Sequence, residues 1–182
     1  MNNQLKKKSI KLGILGGTFD PPHYAHVKIS KIAIEKFKLK KIFWIITNQN
    51  PFKSKPLLNI KKRIYLSKKI LKKQKKIIIS NESKNLYSQN TYDVLKFLKY
   101  KNKKINYFFL MGADNLINFH KWKNWKKISG CAKIIVFARP GFSTKALNSI
   151  ASKKLGRKAW VFVKSTKLNI SSSKLRKFDK II

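Results

Sequence analysis

The sequence predicts an α/β fold in which helices cover both faces of a parallel sheet. Short apolar strand candidates alternate with amphipathic helical stretches along the chain, the pattern of strand–helix–strand crossover units. Glycine and proline punctuate these segments, most clearly at the pair Gly16-Gly17 that ends the first strand candidate. A length of 182 residues suits one domain, 1–182, that can bury a core without disulfides. We therefore expect a single Rossmann-like domain in which ligands bind beyond the carboxyl ends of the strands.

Six short runs rich in Ile, Val, Leu and Phe define the strand candidates. They are residues 10–15, 42–47, 76–80, 105–111, 133–138 and 159–164. Between them, apolar residues recur every three or four positions, which predicts helices over about 22–37, 59–71 and 92–100. Pro140-Gly141 predicts a turn that closes the fifth strand, and a last helix is expected within 170–182.

The composition is typical of a folded protein of a reducing compartment. Hydrophobic residues make up 43% of the chain, too many for global disorder, and the apolar runs are too short to span a bilayer. Residues 1–8 form a basic tail without the apolar region of a secretory leader. The one cysteine, Cys131, permits no internal disulfide and supplies no metal cluster. We expect a cytoplasmic protein without a membrane segment.

The charge of the chain is extreme: 44 Lys and Arg residues oppose 6 Asp and Glu residues, giving a formal net charge of +38. Clustered lysines bind nucleic-acid phosphates. However, only four of the basic residues are arginines, and the lysines are spread over the whole chain. We favour compositional drift in an AT-rich genome as the origin of the charge, with attraction of anionic substrates and nonspecific RNA binding as its consequences. Sequence alone leaves the purpose of the charge open.

The most informative segment follows the first strand candidate. The pair Gly16-Gly17 predicts a tight turn, with φ above zero and close approach of backbone to a ligand. Pro21-Pro22 suits the first turn of a helix, where a missing N–H group is harmless. His23 and His26 are spaced i and i+3, so they share the face of that first turn. Free N–H groups and the positive end of the helix dipole favour an anion there.

This segment resembles the GxFDPxHxGH signature of the nucleotidyltransferase superfamily. The resemblance rests on Gly16-Gly17-Thr18-Phe19-Asp20-Pro21-Pro22-His23-Tyr24-Ala25-His26. It implies an HxGH-type fold in which His23 and His26 contact the phosphates of ATP during adenylyl transfer. It also implies that Gly16, Gly17, Thr18 and Phe19 border the nucleotide. Ala25 stands where the superfamily usually has glycine, and its extra methyl group is expected to crowd the nucleotide without abolishing the site.

A second motif follows the fourth strand candidate. Met111-Gly112-Ala113-Asp114-Asn115-Leu116, with Phe119, Trp122 and Trp125 after it, is similar to the GxDxL…F..W..W pattern of bacterial nicotinate-nucleotide adenylyltransferases. Two interpretations of Asp114 stay open, since its carboxylate can bond nucleotide hydroxyls or cap the following helix. Trp122 has a flat face that can stack on a pyridine ring, or it can pack in the core.

Two further segments extend the resemblance. Asn90-Thr91-Tyr92-Asp93-Val94-Leu95 resembles the T-x-D-T-L segment that borders the nicotinate pocket of that family. Thr91 can cap the helix and bond the ring carboxylate, and Asp93 complements the helix dipole; capping is the interpretation we favour for both. Lys53 matches the basic residue that the family holds over the nucleotide phosphates.

The carboxyl-terminal motif Ile170-Ser171-Ser172-Ser173-Lys174-Leu175-Arg176 resembles the family's ISS[ST]xIR. Hydroxyl and N–H groups at a helix start bind a triphosphate well, and a guanidinium one turn later can hold it. The resemblance therefore assigns Ser171, Ser172, Ser173 and Arg176 to phosphate binding, with Arg176 beside the two histidines in the catalytic set. Arg139, next to Pro140-Gly141, matches a family position with a weaker claim.

Together, these resemblances imply transfer of AMP from ATP to nicotinate mononucleotide, giving deamido-NAD and pyrophosphate. They also imply Mg²⁺ carried on ATP, and the scarcity of carboxylates argues against a metal site built from protein ligands. Two alternatives remain: a related enzyme that uses nicotinamide mononucleotide or phosphopantetheine, and an RNA-binding protein on the same scaffold. Oligomeric state and acceptor stringency are not determined by the sequence.

Overall fold

A computed structural model describes residues 9–50, 52, 54–80, 90–156 and 158–164. Its framework is one six-stranded sheet. The strands are β1 (Lys11–Gly17), β2 (Lys41–Ile46), β3 (Ile77–Ile79), β4 (Asn106–Gly112), β5 (Ala132–Phe137) and β6 (Trp160–Val163). Each of the six predicted strands is present, and their ends differ from the prediction by no more than two residues.

All neighbouring strands are parallel, and their order across the sheet is β3-β2-β1-β4-β5-β6. Along the chain, β2 and β3 are added on one side of β1, and β4, β5 and β6 are then added on its other side. Strand order therefore reverses between β1 and β4, which is where parallel sheets of this kind bind ligands. The predicted α/β fold with a Rossmann-like sheet is confirmed.

Seven helices and one 3-10 turn connect the described strands. They are α1 (Tyr24–Phe37), α2 (Ile60–Leu71), α3 (Thr91–Lys101), α4 (Ala113–Ile117), the 3-10 turn Phe119–Lys121, α5 (Trp125–Cys131), α6 (Ser143–Leu147) and α7 (Ile150–Lys154). Side chains of α1 and α2 pack on one face of the sheet, whereas those of α3 to α7 pack on the other. On β4, Phe108 and Leu110 point to the first face, and Phe109 and Met111 to the second. Helices on both faces explain why the strands are almost continuously apolar.

The start of α1 differs from the prediction. The helix begins at Tyr24 with His23 as its N-cap, so Pro21 and Pro22 precede the helix instead of forming its first turn. The peptide bond between Asp20 and Pro21 is cis. The prolines shape the loop that leads into the helix, and this loop presents His23 to the end of the sheet.

The predicted glycine turn is also wrong in detail. Strand β1 continues through Gly17, and the left-handed residue is Phe19, with φ of 49°. Such a conformation costs a bulky L-residue on the order of 1–2 kcal/mol. Burial of the Phe19 ring, which is 2% exposed and stacks 4.7 Å from the Trp44 ring, offsets that cost.

Exposed lysines occur on helices of both faces of the sheet. They include Lys31, Lys61 and Lys68 on one face and Lys96, Lys126 and Lys153 on the other. Among the described residues, exposed lysines therefore lie on both sides of the sheet. Within the same part of the chain, no helix combines the length and apolar character needed to cross a bilayer.

We predict that Gly13→Ala destabilises the fold, because an added Cβ would lie 2.6 Å from Cγ1 of Ile42 and 3.0 Å from Cδ1 of Leu39. The expected loss in the free energy of unfolding is about 1–3 kcal/mol, measured by urea denaturation. Gly130→Ala is the control, since an added Cβ there meets nothing within 4 Å and lies within α5. Equal stability of the two variants would contradict the packing described for β1.

Candidate functional site

The carboxyl ends of three neighbouring strands bring the predicted site residues together. His23 and His26 follow β1, Asp114 follows β4, and Arg139 follows β5. Because β1, β4 and β5 are adjacent in the sheet, side chains from three distant parts of the sequence surround the point where strand order reverses. This edge is the candidate functional site.

The two histidines form a stacked pair at the start of α1. Their ring centroids are 3.8 Å apart with an interplanar angle of 28°, which confirms the predicted shared face. The backbone N–H of His23 donates to Nδ1 of His26 at 3.2 Å. Since that nitrogen accepts, the proton of a neutral His26 ring is on Nε2, which makes Nε2–H a hydrogen-bond donor.

His23 is buried, and its Nδ1 has no hydrogen-bond partner among the described residues. Burial, assisted by the positive charge of Arg139, lowers the pKa of His23 to about 4. The ring is therefore neutral at pH 7. A buried, unpartnered ring nitrogen is costly unless a ligand uses it.

The rings of Phe19 and Trp44 pack near the ring of His26. The ring of Phe19 lies 4.7 Å from the rings of both His26 and Trp44. The indole Nε1–H of Trp44 donates to Oγ of Ser30 at 3.0 Å, and that hydroxyl donates to the carbonyl oxygen of His26 at 2.8 Å. Both the ring and the backbone of His26 are thereby held in one position.

Asp114 forms an ion pair with Arg139, with Oδ2 and Nη1 2.6 Å apart. Of the two interpretations of Asp114, the structure does not bear out capping, because the N-cap of α4 is Gly112 and Asp114 lies in the first turn. A Cβ at residue 112 would be 2.5 Å from Oδ1 of Asp114, so glycine at this position makes room for the carboxylate.

Arg139 connects the site to the turn after β5. Its guanidinium carbon lies 5.4 Å from the centroid of the Phe142 ring. Its backbone N–H donates to Oγ of Ser143 at 3.3 Å, and the predicted turn follows, with Gly141 at φ of 78°. The ion pair and the ring contact hold the guanidinium near His23, whose pKa it helps to lower.

Two buried charges that the sequence analysis did not assign anchor the loops of the site. Asp20 accepts hydrogen bonds from the N–H groups of Leu57 and Leu58, both at 2.9 Å. Arg63 on α2 donates to four carbonyl oxygens, those of Thr18, Thr47, Asn48 and Leu58. A signal was present in the sequence, because Arg63 occurs on the apolar face of α2, between Ile60 and Ile64. A charged residue in that stripe indicates a buried, fully bonded side chain.

The segments assigned to the acceptor, the start of α3 and the stretch after the 3-10 turn, belong to elements that pack on the other face of the sheet. The predicted capping role of Thr91 is wrong, since Asn90 is the N-cap of α3 and Thr91 is the first helical residue. Asp93 is not the cap that we favoured either, but it lies in the first turn, where its charge complements the helix dipole as predicted, and it pairs with Lys123 at 3.5 Å. Trp122 is half-buried, with its ring packed edge-on against Phe119 at 5.2 Å between centroids, so it contributes to the core.

Space remains beside the glycine pair that ends β1. An added Cβ at Gly16 would come no closer than 3.8 Å to Phe109, and one at Gly17 no closer than 3.6 Å to Phe19. These are ordinary van der Waals distances. The packing of the protein therefore does not require glycine here. This agrees with a backbone that a ligand can approach closely.

Several predicted residues lie outside the described part of the chain. They are Lys53, Ser171, Ser172, Ser173 and Arg176, together with the tail 1–8 and the helix expected within 170–182. Among the described residues, no group of three or more His, Cys, Asp or Glu side chains is arranged to hold a metal ion.

Comparison with known proteins gives consistent results. Residues 14–178 match the cytidylyltransferase-like family model. A probable nicotinate-nucleotide adenylyltransferase of Pelagibacter ubique is 45% identical over 96% of this chain and 97% of its own length. A second, from a Ruegeria species, is 33% identical over 91% of this chain and 96% of its own. The Plasmodium falciparum nicotinic acid mononucleotide adenylyltransferase complexed with NaAD has a similar fold, with a TM-score of 0.76 over 93% of this chain and 83% of its own, at 24% identity.

We predict that His23 makes stability depend on pH. Its pKa is lowered in the folded state, so the unfolded chain binds a proton more readily and stability falls as pH drops below about 6.5. Between pH 7 and pH 5 the expected loss is about 2 kcal/mol, measured by urea unfolding. The variant His23→Asn should lack most of this decrease. A wild type and a variant with parallel pH profiles would refute the burial of a neutral ring.

Proposed function

Because the chain belongs to the nicotinate-nucleotide adenylyltransferase family, we propose that it joins ATP and nicotinate mononucleotide. A phosphate oxygen of the mononucleotide attacks the α-phosphorus of ATP, the bond to the β-phosphate oxygen breaks, and pyrophosphate leaves. The product is deamido-NAD, one step from NAD. The observation that carries this proposal is the stacked pair of His23 and His26 at the start of α1, beside the open end of β1. We also propose that the protein works in the cytoplasm.

In this reaction, the histidine pair binds and neutralises phosphate oxygens. The first turn of α1 offers backbone N–H groups and the positive end of the helix dipole. The Nε2–H of His26 adds a donor whose direction is fixed by the bond to Nδ1. Donors that are already oriented stabilise charge developing on the leaving pyrophosphate without reorganising. Such a transfer needs positioning and charge neutralisation more than a strong base.

Other residues complete the nucleotide site in this proposal. Gly16 and Gly17 let the nucleotide approach the sheet edge, beside Thr18 and Phe19. Asp114 bonds nucleotide hydroxyls, and its pairing with Arg139 holds both side chains at the same edge. Lys53, Ser171, Ser172, Ser173 and Arg176 bind the phosphates, on the strength of their sequence motifs. Mg²⁺ enters as part of the ATP substrate, bound to its phosphate oxygens.

For the acceptor, we propose that Trp122 stacks on the pyridine ring and that Thr91 binds the ring carboxylate. Trp122 is half-buried, so one part of the indole packs on Phe119 while another stays accessible. Thr91 is the first residue of α3, where free N–H groups and the helix dipole favour a carboxylate. The ion pair between Asp93 and Lys123 links these two walls of the pocket.

We predict that the protein releases pyrophosphate from ATP with nicotinate mononucleotide as acceptor. A carboxylate matches N–H donors, whereas the amide of nicotinamide mononucleotide presents a mismatched donor. The kcat/KM for the nicotinate form should exceed that for the nicotinamide form by at least about tenfold, the value of one differential contact. Phosphopantetheine serves as the third acceptor in the assay. Equal use of nicotinate and nicotinamide forms would contradict the pocket, and turnover with none of the three would contradict the proposed function.

We further predict that His26→Ala lowers kcat by about 100-fold or more, because it removes the Nε2–H donor proposed to stabilise the transition state. The fold should persist, since the ring of His26 is only half-buried at a helix start. Lys31→Ala, an exposed change on the same helix, is the control and should retain wild-type turnover. Circular dichroism verifies that each variant is folded. A folded His26→Ala variant with normal kcat would remove the histidine from the mechanism.

A further inference from the structure

We propose that Arg63 is a positioning residue that sets the geometry between the two loops of the nucleotide site. The first loop, residues 18–23, connects β1 to α1 and leads to the histidines. The second loop, residues 47–59, connects β2 to α2 and contains Lys53 in its sequence. Arg63 is only 2% exposed and lies between these loops. The inference rests on the proposed function, because its readout is adenylyl transfer.

Arg63 controls the first loop through one peptide group. Its Nη1 donates to the carbonyl oxygen of Thr18 at 2.6 Å. That carbonyl belongs to the peptide plane whose nitrogen is the nitrogen of Phe19, so holding it restrains the φ of 49° at Phe19. The Phe19 ring in turn stacks on His26 at 4.7 Å. The guanidinium therefore acts on the histidine pair through two successive contacts.

The same guanidinium holds both ends of the second loop. At the start of the loop, Nη1 donates to the carbonyl oxygen of Thr47 at 2.7 Å and Nη2 to that of Asn48 at 3.1 Å. At its end, Nε donates to the carbonyl oxygen of Leu58 at 2.9 Å. These bonds join the carbonyl groups of Thr47, Asn48 and Leu58, which lie on either side of Lys53 in the sequence, to one side chain.

Asp20 completes the connection from the other side. Its carboxylate accepts hydrogen bonds from the N–H groups of Leu57 and Leu58. The first loop is therefore also bonded directly to the end of the second loop. Burial lowers the pKa of Arg63, and the negative charge of Asp20 opposes that shift and favours the charged guanidinium. A planar fork with several N–H groups can bond carbonyls in different directions, which a single ammonium group cannot reproduce.

All four of these Arg63 bonds go to main-chain carbonyl oxygens. Arg63 thus acts through the loops, and the loops carry the groups proposed to bind ATP. The groups proposed to bind the acceptor, Thr91 and Trp122, lie on elements of the other face of the sheet. Changing Arg63 should therefore impair ATP use more than acceptor binding.

The test is Arg63→Lys, which keeps the positive charge but not the fork. We expect its KM for ATP to rise and its kcat to fall, with a combined loss in kcat/KM for ATP of about 100-fold, as for displaced catalytic groups. The KM for nicotinate mononucleotide should stay within about twofold of wild type. Lys68→Met, an exposed loss of charge on the same helix, is the matched control. Thermal melts fix an assay temperature at which every protein is fully folded.

Chemical rescue and a double mutant distinguish a positioning role of Arg63 from a general loss of order in the protein. In Arg63→Ala, millimolar guanidinium should restore kcat/KM for ATP by about tenfold while ammonium does not, because only guanidinium reproduces the fork. If Arg63→Ala does not fold, Arg63→Lys combined with Lys53→Ala replaces it. That double variant should lose less than the product of the two single losses, since both changes act on one loop.

The outcomes distinguish the two proposals. Absence of adenylyl transfer by the wild type would overturn the proposed function. An active wild type with an Arg63→Lys variant that is less stable but has normal KM for ATP and normal kcat would overturn the positioning role. Equal rises in KM for ATP and for the acceptor would also overturn it, because they indicate general loosening.

Discussion

Two buried charges, Asp20 and Arg63, hold together the parts of the chain on which the site depends. Each is 2% exposed, and each forms hydrogen bonds to main-chain groups of the loops after β1 and β2. Buried charges are costly, and removing one member of such a network leaves the other without its counterpart. The network therefore ties the described parts of the two loops together, and the Phe19 ring, 4.7 Å from the His26 ring, extends this connection to the stacked histidines.

The two described arginines have a different use from the lysines around them. Arg63 bonds carbonyl groups in several directions, and Arg139 pairs with Asp114 at 2.6 Å while lying over the Phe142 ring. Both uses need the planar guanidinium. In a chain with a net charge of +38, the type of cation therefore says more about a site than the amount of charge.

Most of the fold could be predicted from the sequence, because strands buried on both faces are nearly continuous apolar runs. The histidine pair could also be predicted, since spacing along a helix fixes which side chains share a face.

The details of the turns and helix caps could not be predicted from the sequence. The left-handed residue is Phe19 and not glycine, because ring stacking in the folded state outweighs local backbone preference. Likewise, the N-caps are Gly112 and Asn90, and Asp114 is engaged by an arginine 25 residues away in sequence. The burial of Arg63 could be predicted from its place in the apolar stripe of α2, but its carbonyl partners, up to 45 residues away in sequence, could not.

The neutrality of His23 has a consequence for how the reaction responds to acidity. A histidine normally changes charge between pH 5 and 8, but this ring, with a pKa of about 4, does not gain a proton over most of that range. The phosphate monoester of the acceptor, by contrast, has a second pKa of about 6. The substrate, and not the buried histidine, then brings the titrating group into the site. Between pH 5 and 8, the acceptor phosphate therefore changes its charge while the ring of His23 stays neutral over most of the range.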